Sequence, residues 1–452
     1  MAVVETAMPV AVGRRDVEEV LREGGFSRFH KRAVLVTGAA WTFVAMEILL
    51  IGFVQPIFAL LWNLNGAWQG LVNSAALAGS LVGSLVLGRL ADSIGRRTIF
   101  QYAILWYAAF TAITALSWGP WSVMAFRFLA GLGLGGMLVV DPSMLTEYLP
   151  PQRRGRFLVM LDFFWPIGLL FAVGLSYLFL GPDFHRIGGE WSWRYLFLAA
   201  SFPAFLAFLV RRSLPESPYF LAREGRSNEA AEVLTEITGK PVAAAEFTAP
   251  KEEHTSAREL AEPTLRRTSL VMIAVWIVLN ISYYGLFLWL PVVLNGDKFS
   301  IDVYLLLTLS ALSQFPGYAA AIWLVERIGR KPTLALFLLL GGLSAWAFAA
   351  ADSKGVYVTA LFFVGFFNLG AWGAVYPYTA ELFPNRLRAS AFGMLEGVGK
   401  GAAIAGPYIF GHLKDTSGGT FWPITFVALV MAAGGLVAAA FGRETRGQKL
   451  LA

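Results

Sequence analysis

A chain of 452 residues that is 57% hydrophobic and only 15% charged, with a mean hydropathy of +0.60, is too apolar for a soluble globule. Zero cysteines exclude disulfides and thiolate metal centres. The net charge of +6 is not gathered into anything that reads as a nucleic-acid site, so it needs another explanation.

The first 33 residues form a tail. Between Arg14 and Arg32, Val17, Val20, Leu21 and Phe26 recur at helical spacing among charges, which predicts a short amphipathic element on the inner membrane surface or, alternatively, a solvated tail. Apolar stretches of about 20 residues then follow one another, the length a helix needs to cross a bilayer. They predict spans 1 to 6 over 34–62, 69–91, 98–117, 120–146, 156–181 and 194–212. Spans 7 to 12 follow over 269–295, 302–325, 333–351, 356–380, 389–412 and 421–442. No cleavable leader precedes span 1, which is expected to serve as an uncleaved anchor. Residues 213–268 form a polar linker of short surface helices, since about 55 residues with few large apolar side chains build no independent domain. Residues 443–452 are a second tail. The expected architecture is an all-α membrane protein: twelve transmembrane helices in two pseudo-symmetric six-helix bundles, 34–212 and 269–442.

Of the 36 lysines and arginines, 29 fall on one side of this alternation and five on the other (Arg186, Arg194, Lys298, Lys354 and Lys414). Basic residues are retained in the cytoplasm, which places both termini there and the chain in the inner (plasma) membrane. The net charge thus reports topology.

One signature occurs twice. Gly88-Arg89-Leu90-Ala91-Asp92-Ser93-Ile94-Gly95-Arg96-Arg97 follows span 2, and Leu324-Val325-Glu326-Arg327-Ile328-Gly329-Arg330-Lys331-Pro332 follows span 8. Asp92 and Glu326 stand 234 positions apart, and so do Glu147 and Glu381, Pro150 and Pro384, and Arg154 and Arg388. A constant offset inside an apolar chain indicates a duplicated membrane unit. The run Gly131-Leu132-Gly133-Leu134-Gly135-Gly136 imitates a dinucleotide loop, but no strand precedes it; close helix packing explains it better.

A few ionisable groups lie inside the spans, where an unpaired charge costs several kcal/mol. Glu47 sits about 20 Å from the cytoplasmic end of span 1 and Arg127 about 12 Å below the outer end of span 4, so their depths nearly coincide. They form either a proton-exchanging pair or a static bridge. Lys400, about 18 Å into span 11, shares a helix face with Glu396 four residues earlier. This lysine either holds a substrate carboxylate or only neutralises Glu396. Asp162, the repeat mate of Glu396, is expected among the gate latches, and Asp141 as an open second proton site. Asp92, Arg96, Glu147, Arg154, Glu326, Arg330, Glu381 and Arg388 are expected in cytoplasmic charge networks that hold the outward-open state.

The duplicated signature, the 6 + 6 repeat and the linker resemble the major facilitator superfamily over nearly the whole chain. Gly88, Leu90, Ala91, Asp92, Gly95, Arg96 and Arg97 fit its loop motif; in the second copy Glu326 stands for the aspartate and Ile322 for the glycine. Arg127 with Gly131, Gly133 and Gly135, then Glu147 and Arg154, is similar to the span 4 pattern of sugar porters, and Pro215-Glu216-Ser217-Pro218 to the segment after their span 6. Phe29-His30, Ala45-Met46-Glu47 and Trp165-Pro166-Ile167-Gly168 resemble metabolite:proton symporters of the nicotinate-permease and organic-ion type. The resemblance implies a rocker-switch carrier with a central site open alternately to each side. It points to Glu47 and Arg127 for proton coupling, since sugar/proton symporters assign that role to an acid in span 1 and this arginine. A basic residue in span 11 resembles organic-anion transporters.

In this superfamily spans 1, 4, 7 and 10 line the cavity. That makes Asn280, Tyr283, Tyr284 and Phe287 of span 7, and Phe363, Phe367, Asn368, Trp372 and Tyr376 of span 10, expected contacts. Gln55, Trp165, Gln314 and Tyr318 are secondary ones. An aromatic cavity with one lysine suits a flat organic anion better than a sugar. The histidines, His30, His185, His254 and His412, show no ligand spacing, so neither an enzyme nor a cofactor or metal is expected. The expected partners are a small-molecule substrate, protons and the lipid bilayer, with the chain acting as a monomer. Sugar or drug movement, including proton-antiport export, and a transporter-like sensor are the rival readings.

Overall fold

The computed structural model describes residues 15–150, 154–181, 189–244, 247–248, 257–296, 299–384 and 387–447. His185, Arg186, His254 and Lys298, and both chain ends, lie outside the described residues.

Twelve long helical segments follow one another. In the first half they are Arg28–Trp62, Gly66–Ile94, Arg96–Thr114, Pro120–Tyr148, the broken Arg154–Asp162 plus Trp165–Leu180, and Ser192–Ala200 continued by Phe205–Ser213. In the second half they are Pro263–Phe287 (extended by Leu290–Asn295), Val303–Arg327, Arg330–Ala350, Lys354–Leu382, Arg388–Ser417 and Phe421–Phe441. Ten of them are long and apolar enough to cross a bilayer. The other two, spans 3 and 11, are diluted by Arg96 and Arg97 and by Glu396, Lys400 and Asp415 respectively.

Span 5 departs from the continuous helix read over 156–181. It breaks between Asp162 and Trp165, because Pro166 has no N–H to offer the Asp162 carbonyl four residues back and its ring crowds that carbonyl. Thr42 of span 1 donates from Oγ1 to the Phe164 carbonyl at 3.2 Å, satisfying one group of the break. Exposed backbone at this depth is tolerated only against protein or a wet cavity.

The duplication extends to packing. A Cβ on Gly83 would lie 2.0 Å from the Leu132 carbonyl oxygen, and one on Gly317 would lie 2.2 Å from that of Phe366. Both the glycines and their partners are 234 positions apart. Spans 2 and 4, and spans 8 and 10, therefore meet backbone to backbone, as small residues allow in membranes. Gly83→Val should destabilise the protein by about 1–3 kcal/mol through overpacking. Gly174, with nothing within 4 Å of a Cβ, should accept valine freely; equal thermal midpoints of the two variants in detergent would refute this seam.

The N-terminal tail corrects the membrane-surface expectation. Val17–Gly24 is a helix with a capping box, Asp16 Oδ1 accepting from Glu19 N at 2.9 Å. Its apolar side, Val17, Val20 and Leu21, is buried against protein, on the linker helix Ser227–Thr238. Residues Arg15–Asp16 also pair in parallel with Phe247–Thr248. The apolar stripe thus finds a protein partner in the linker.

Candidate functional site

Six spans bring an aromatic wall and three charges to one cavity at the centre, between the bundles. Its empty volume is about 630 Å³, part of it open to solvent, within the range of small-molecule sites. Trp41, Trp165 and Tyr283 stand in sequence across the bundle boundary with ring centroids 6.0 Å apart at each step. Trp165 Nε1 donates to the Tyr283 hydroxyl at 2.5 Å, so a hydrogen bond crosses there too. Tyr284, Trp372 and Tyr376 complete the aromatic lining, with Tyr318 contributed by span 8. Asn280 also lines the cavity and donates back to the Trp276 carbonyl of its own helix at 2.9 Å.

The charges are Asp162, Glu396 and Lys400. Lys400 Nζ lies 3.7 Å from Glu396 Oε1, an ion pair too long for a hydrogen bond. The Lys400 side chain is 6% exposed and that of Glu396 37%. Asp162 was expected among the gate latches. Its position at the break of span 5 turns it to the cavity instead, where it and Glu396, supplied by opposite bundles at equivalent repeat positions, repel each other.

Glu47 and Arg127 meet, but behind the cavity wall and inside the first bundle, with both side chains fully buried. Arg127 Nη1 donates to Glu47 Oε1, and Nη2 to the Glu47 carbonyl at 2.8 Å. Thr111 of span 3 donates to the same carboxylate oxygen at 2.6 Å, and the Phe197 ring lies 5.6 Å from the guanidinium carbon. Asp141 is buried one turn beyond the cavity residue Leu138, and neither carboxyl oxygen has a hydrogen-bond partner among the described residues.

Asn368 and Gln314 fall away from the cavity lining. Asn368 faces span 7, donating to Ser282 Oγ at 3.2 Å, and Gln314 is fully buried beneath the wall. Gln55 pairs with Asn73 of span 2 at 2.9 Å. The helix rotations that sequence spacing leaves open decide these placements.

On the face bearing the basic loops, Arg96 pairs with Glu147 at 2.5 Å and Asp92 at 3.3 Å, and Arg330 with Glu381 at 2.9 Å and Glu326 at 3.0 Å. Each network closes within its own bundle, so in this conformation these pairs do not tie the bundles together. Arg154 donates to the Thr146 carbonyl and to the Tyr219 hydroxyl at 2.9 Å. Burial pushes the Tyr219 phenol up to about 12, partly offset by Arg154, so it remains a neutral acceptor. Arg388 lies near enough to Glu381 to feel its charge.

Several residues here escaped the sequence reading. Glu216 accepts from Arg97 N at 3.1 Å, and Glu444 accepts from Arg330 N and Lys331 N at 3.1 Å each. Both acids cap helices that begin after a glycine of positive φ, Gly95 (109°) and Gly329 (106°). On the opposite face Asp415 of span 11 accepts from Gly66 N at 2.6 Å and Ala67 N at 2.8 Å, binding one bundle to the start of span 2 in the other. Ser74 adds a bond to the Ile404 carbonyl at 2.6 Å. Asp415→Ala is expected to loosen this closure. Spin labels at Trp118→Cys and Asp352→Cys, simple to place in a chain without cysteine, should then move apart in pulsed electron resonance; an unchanged distance would remove the latch.

Similarity to known proteins agrees with this geometry. The chain is 35% identical over 429 residues to a niacin transporter of Acinetobacter baylyi, covering 94% of this chain and 96% of that one. It is 33% identical over 421 residues to a putative niacin/nicotinamide transporter of Bacillus subtilis, covering 92% and 96%. Its fold superposes on the partially occluded inward-open xylose transporter XylE of E. coli with a TM-score of 0.76 at 20% identity, over 94% of this chain and 100% of that chain. The family described as sugar (and other) transporter matches residues 28–452, and the chain belongs to that family: it is a multi-pass membrane transporter of the major facilitator fold, not an enzyme.

Proposed function

We propose that the protein is a proton-coupled symporter of a small, flat organic anion, of the pyridine-carboxylate class to which niacin belongs. The observation that carries this reading is Lys400, a buried ammonium without a hydrogen bond among the described residues, in an aromatic cavity between two bundles. A carboxylate meeting an ammonium in low dielectric gains a strong charge-assisted hydrogen bond, and the rings supply stacking area. Scarcity of amides on the wall argues against a sugar. The niacin transporter and the putative niacin/nicotinamide transporter among its relatives support the same class.

Glu47 is the coupling acid in this reading. Paired with Arg127 it is closed off from water; when the bundles rock and water reaches it, it exchanges a proton, and the proton electrochemical gradient drives accumulation. Asp141 is a second proton site, buried without a hydrogen-bond partner among the described residues. The basic-loop face is cytoplasmic, both termini lie there, and a single chain in the plasma membrane is the working unit.

The test is uptake of radiolabelled nicotinate into proteoliposomes under an imposed pH gradient. Acid outside should drive accumulation. Stimulation by acid inside would instead assign export, and binding without flux under any gradient would assign a sensor.

A further inference from the structure

We propose that the arriving anion displaces Glu396 from Lys400, and that Glu396 takes a proton from the open side as it lets go. The inference rests on the anion reading above and adds a second, substrate-dependent proton to it.

The argument starts from charge. Among the described residues lining the cavity there are two carboxyl groups, Asp162 and Glu396, and one cation, Lys400. The other titratable groups facing them are the phenols of Tyr283, Tyr284, Tyr318 and Tyr376, which can donate hydrogen bonds but bring no positive charge. A bound carboxylate would therefore set three carboxyl groups around one ammonium in a site of low dielectric, an arrangement that a proton relieves.

Geometry selects where that proton goes. Glu396 and Lys400 share a helix face, and their pair is loose at 3.7 Å, so the ammonium can be taken by another carboxylate without rearranging the backbone. Asp162 is only 6% exposed, whereas the Glu396 side chain is 37% exposed. Glu396 is thus the acid that water reaches. Once its ammonium is taken, it faces Asp162 of the opposite bundle with no cation between them, and a proton from water on the carboxylate oxygen removes that repulsion. The loaded cavity then has the same net charge as the empty one. The Glu47–Arg127 pair, closed behind the wall, is untouched by this exchange.

The experiment is calorimetric titration of nicotinate into the purified full-length chain in detergent, at neutral pH, in buffers of different ionisation enthalpy. Uptake of about one proton per nicotinate bound is expected. In Glu396→Gln the ammonium is free from the start, so proton uptake on binding should vanish. Should that variant fail to fold, Lys400→Gln decides, since Glu396 there has no cation to lose: nicotinate should bind more weakly and without uptake. Binding to the unmodified protein without proton uptake, or uptake that persists in either variant, overturns the exchange and leaves the anion reading standing. Absence of any nicotinate binding overturns both.

Discussion

Lys400→Ala should weaken nicotinate binding by roughly 10- to 100-fold, the worth of one charged hydrogen bond. Nicotinamide, the same ring without the charge, should lose no more than about threefold, since stacking area is unchanged. The contrast matters more than either number. Removing a buried cation also strands Glu396, which disturbs the cavity for every ligand, and only the difference between the two ligands isolates recognition of the carboxylate. Competition of the two compounds against labelled nicotinate, on wild type and variant, measures it. Equal losses would contradict carboxylate recognition by Lys400 and reduce the lysine to a neutraliser of its neighbour.

Glu47→Gln should remove the proton carried by this acid and sharply lower accumulation against a gradient, leaving only what a proton on Glu396 drives, while exchange of labelled for unlabelled substrate survives within about threefold. Glutamine keeps the shape and can still accept the bond from Thr111, which donates to this side chain at 2.6 Å. It cannot carry a proton across. Arg127→Gln is the harsher change: it leaves a fully buried carboxylate without its cation, a loss of about 3–5 kcal/mol in comparable cases. Low yield is expected there before any transport is measured. Loss of both activities in Glu47→Gln would show that the pair is needed for folding or for the rocking motion, and would end its role in coupling.

The sequence was most legible where a pattern repeats. Apolar length points to the spans, ten of which are apolar enough by that measure alone, and the offset of 234 points to the pairing of halves, because hydrophobic length and backbone contact are set by position along the chain. Glu47 and Arg127 were found because ionised groups in apolar helices are few. Helix rotation was less legible. Asn368 and Trp372 are one turn apart on span 10, yet only Trp372 reaches the cavity, since packing against span 7 and not residue type orients the helix. Its repeat position alone puts Asp162 among the latches, but Pro166 breaks the helix one turn earlier and the side chain lines the cavity. The Glu444 cap was hidden for another reason: it lies 228 positions after Glu216, six fewer than the repeat, so a search at constant offset passes over it. Trp41 had no signal in a run of apolar neighbours.

The seams at Gly83 and Gly317 have a mechanical consequence. Helices whose main chains touch cannot slide or swell past one another, so each half is stiff across its width. Any alternation of access must then be a tilt of one stiff body against the other, in which a displacement near the fulcrum is magnified at the rims. The cavity groups lie between the two stiff bodies, so such a tilt opens or closes around them. The bond between Asp415 and the start of span 2 sits at a rim, where the leverage is longest.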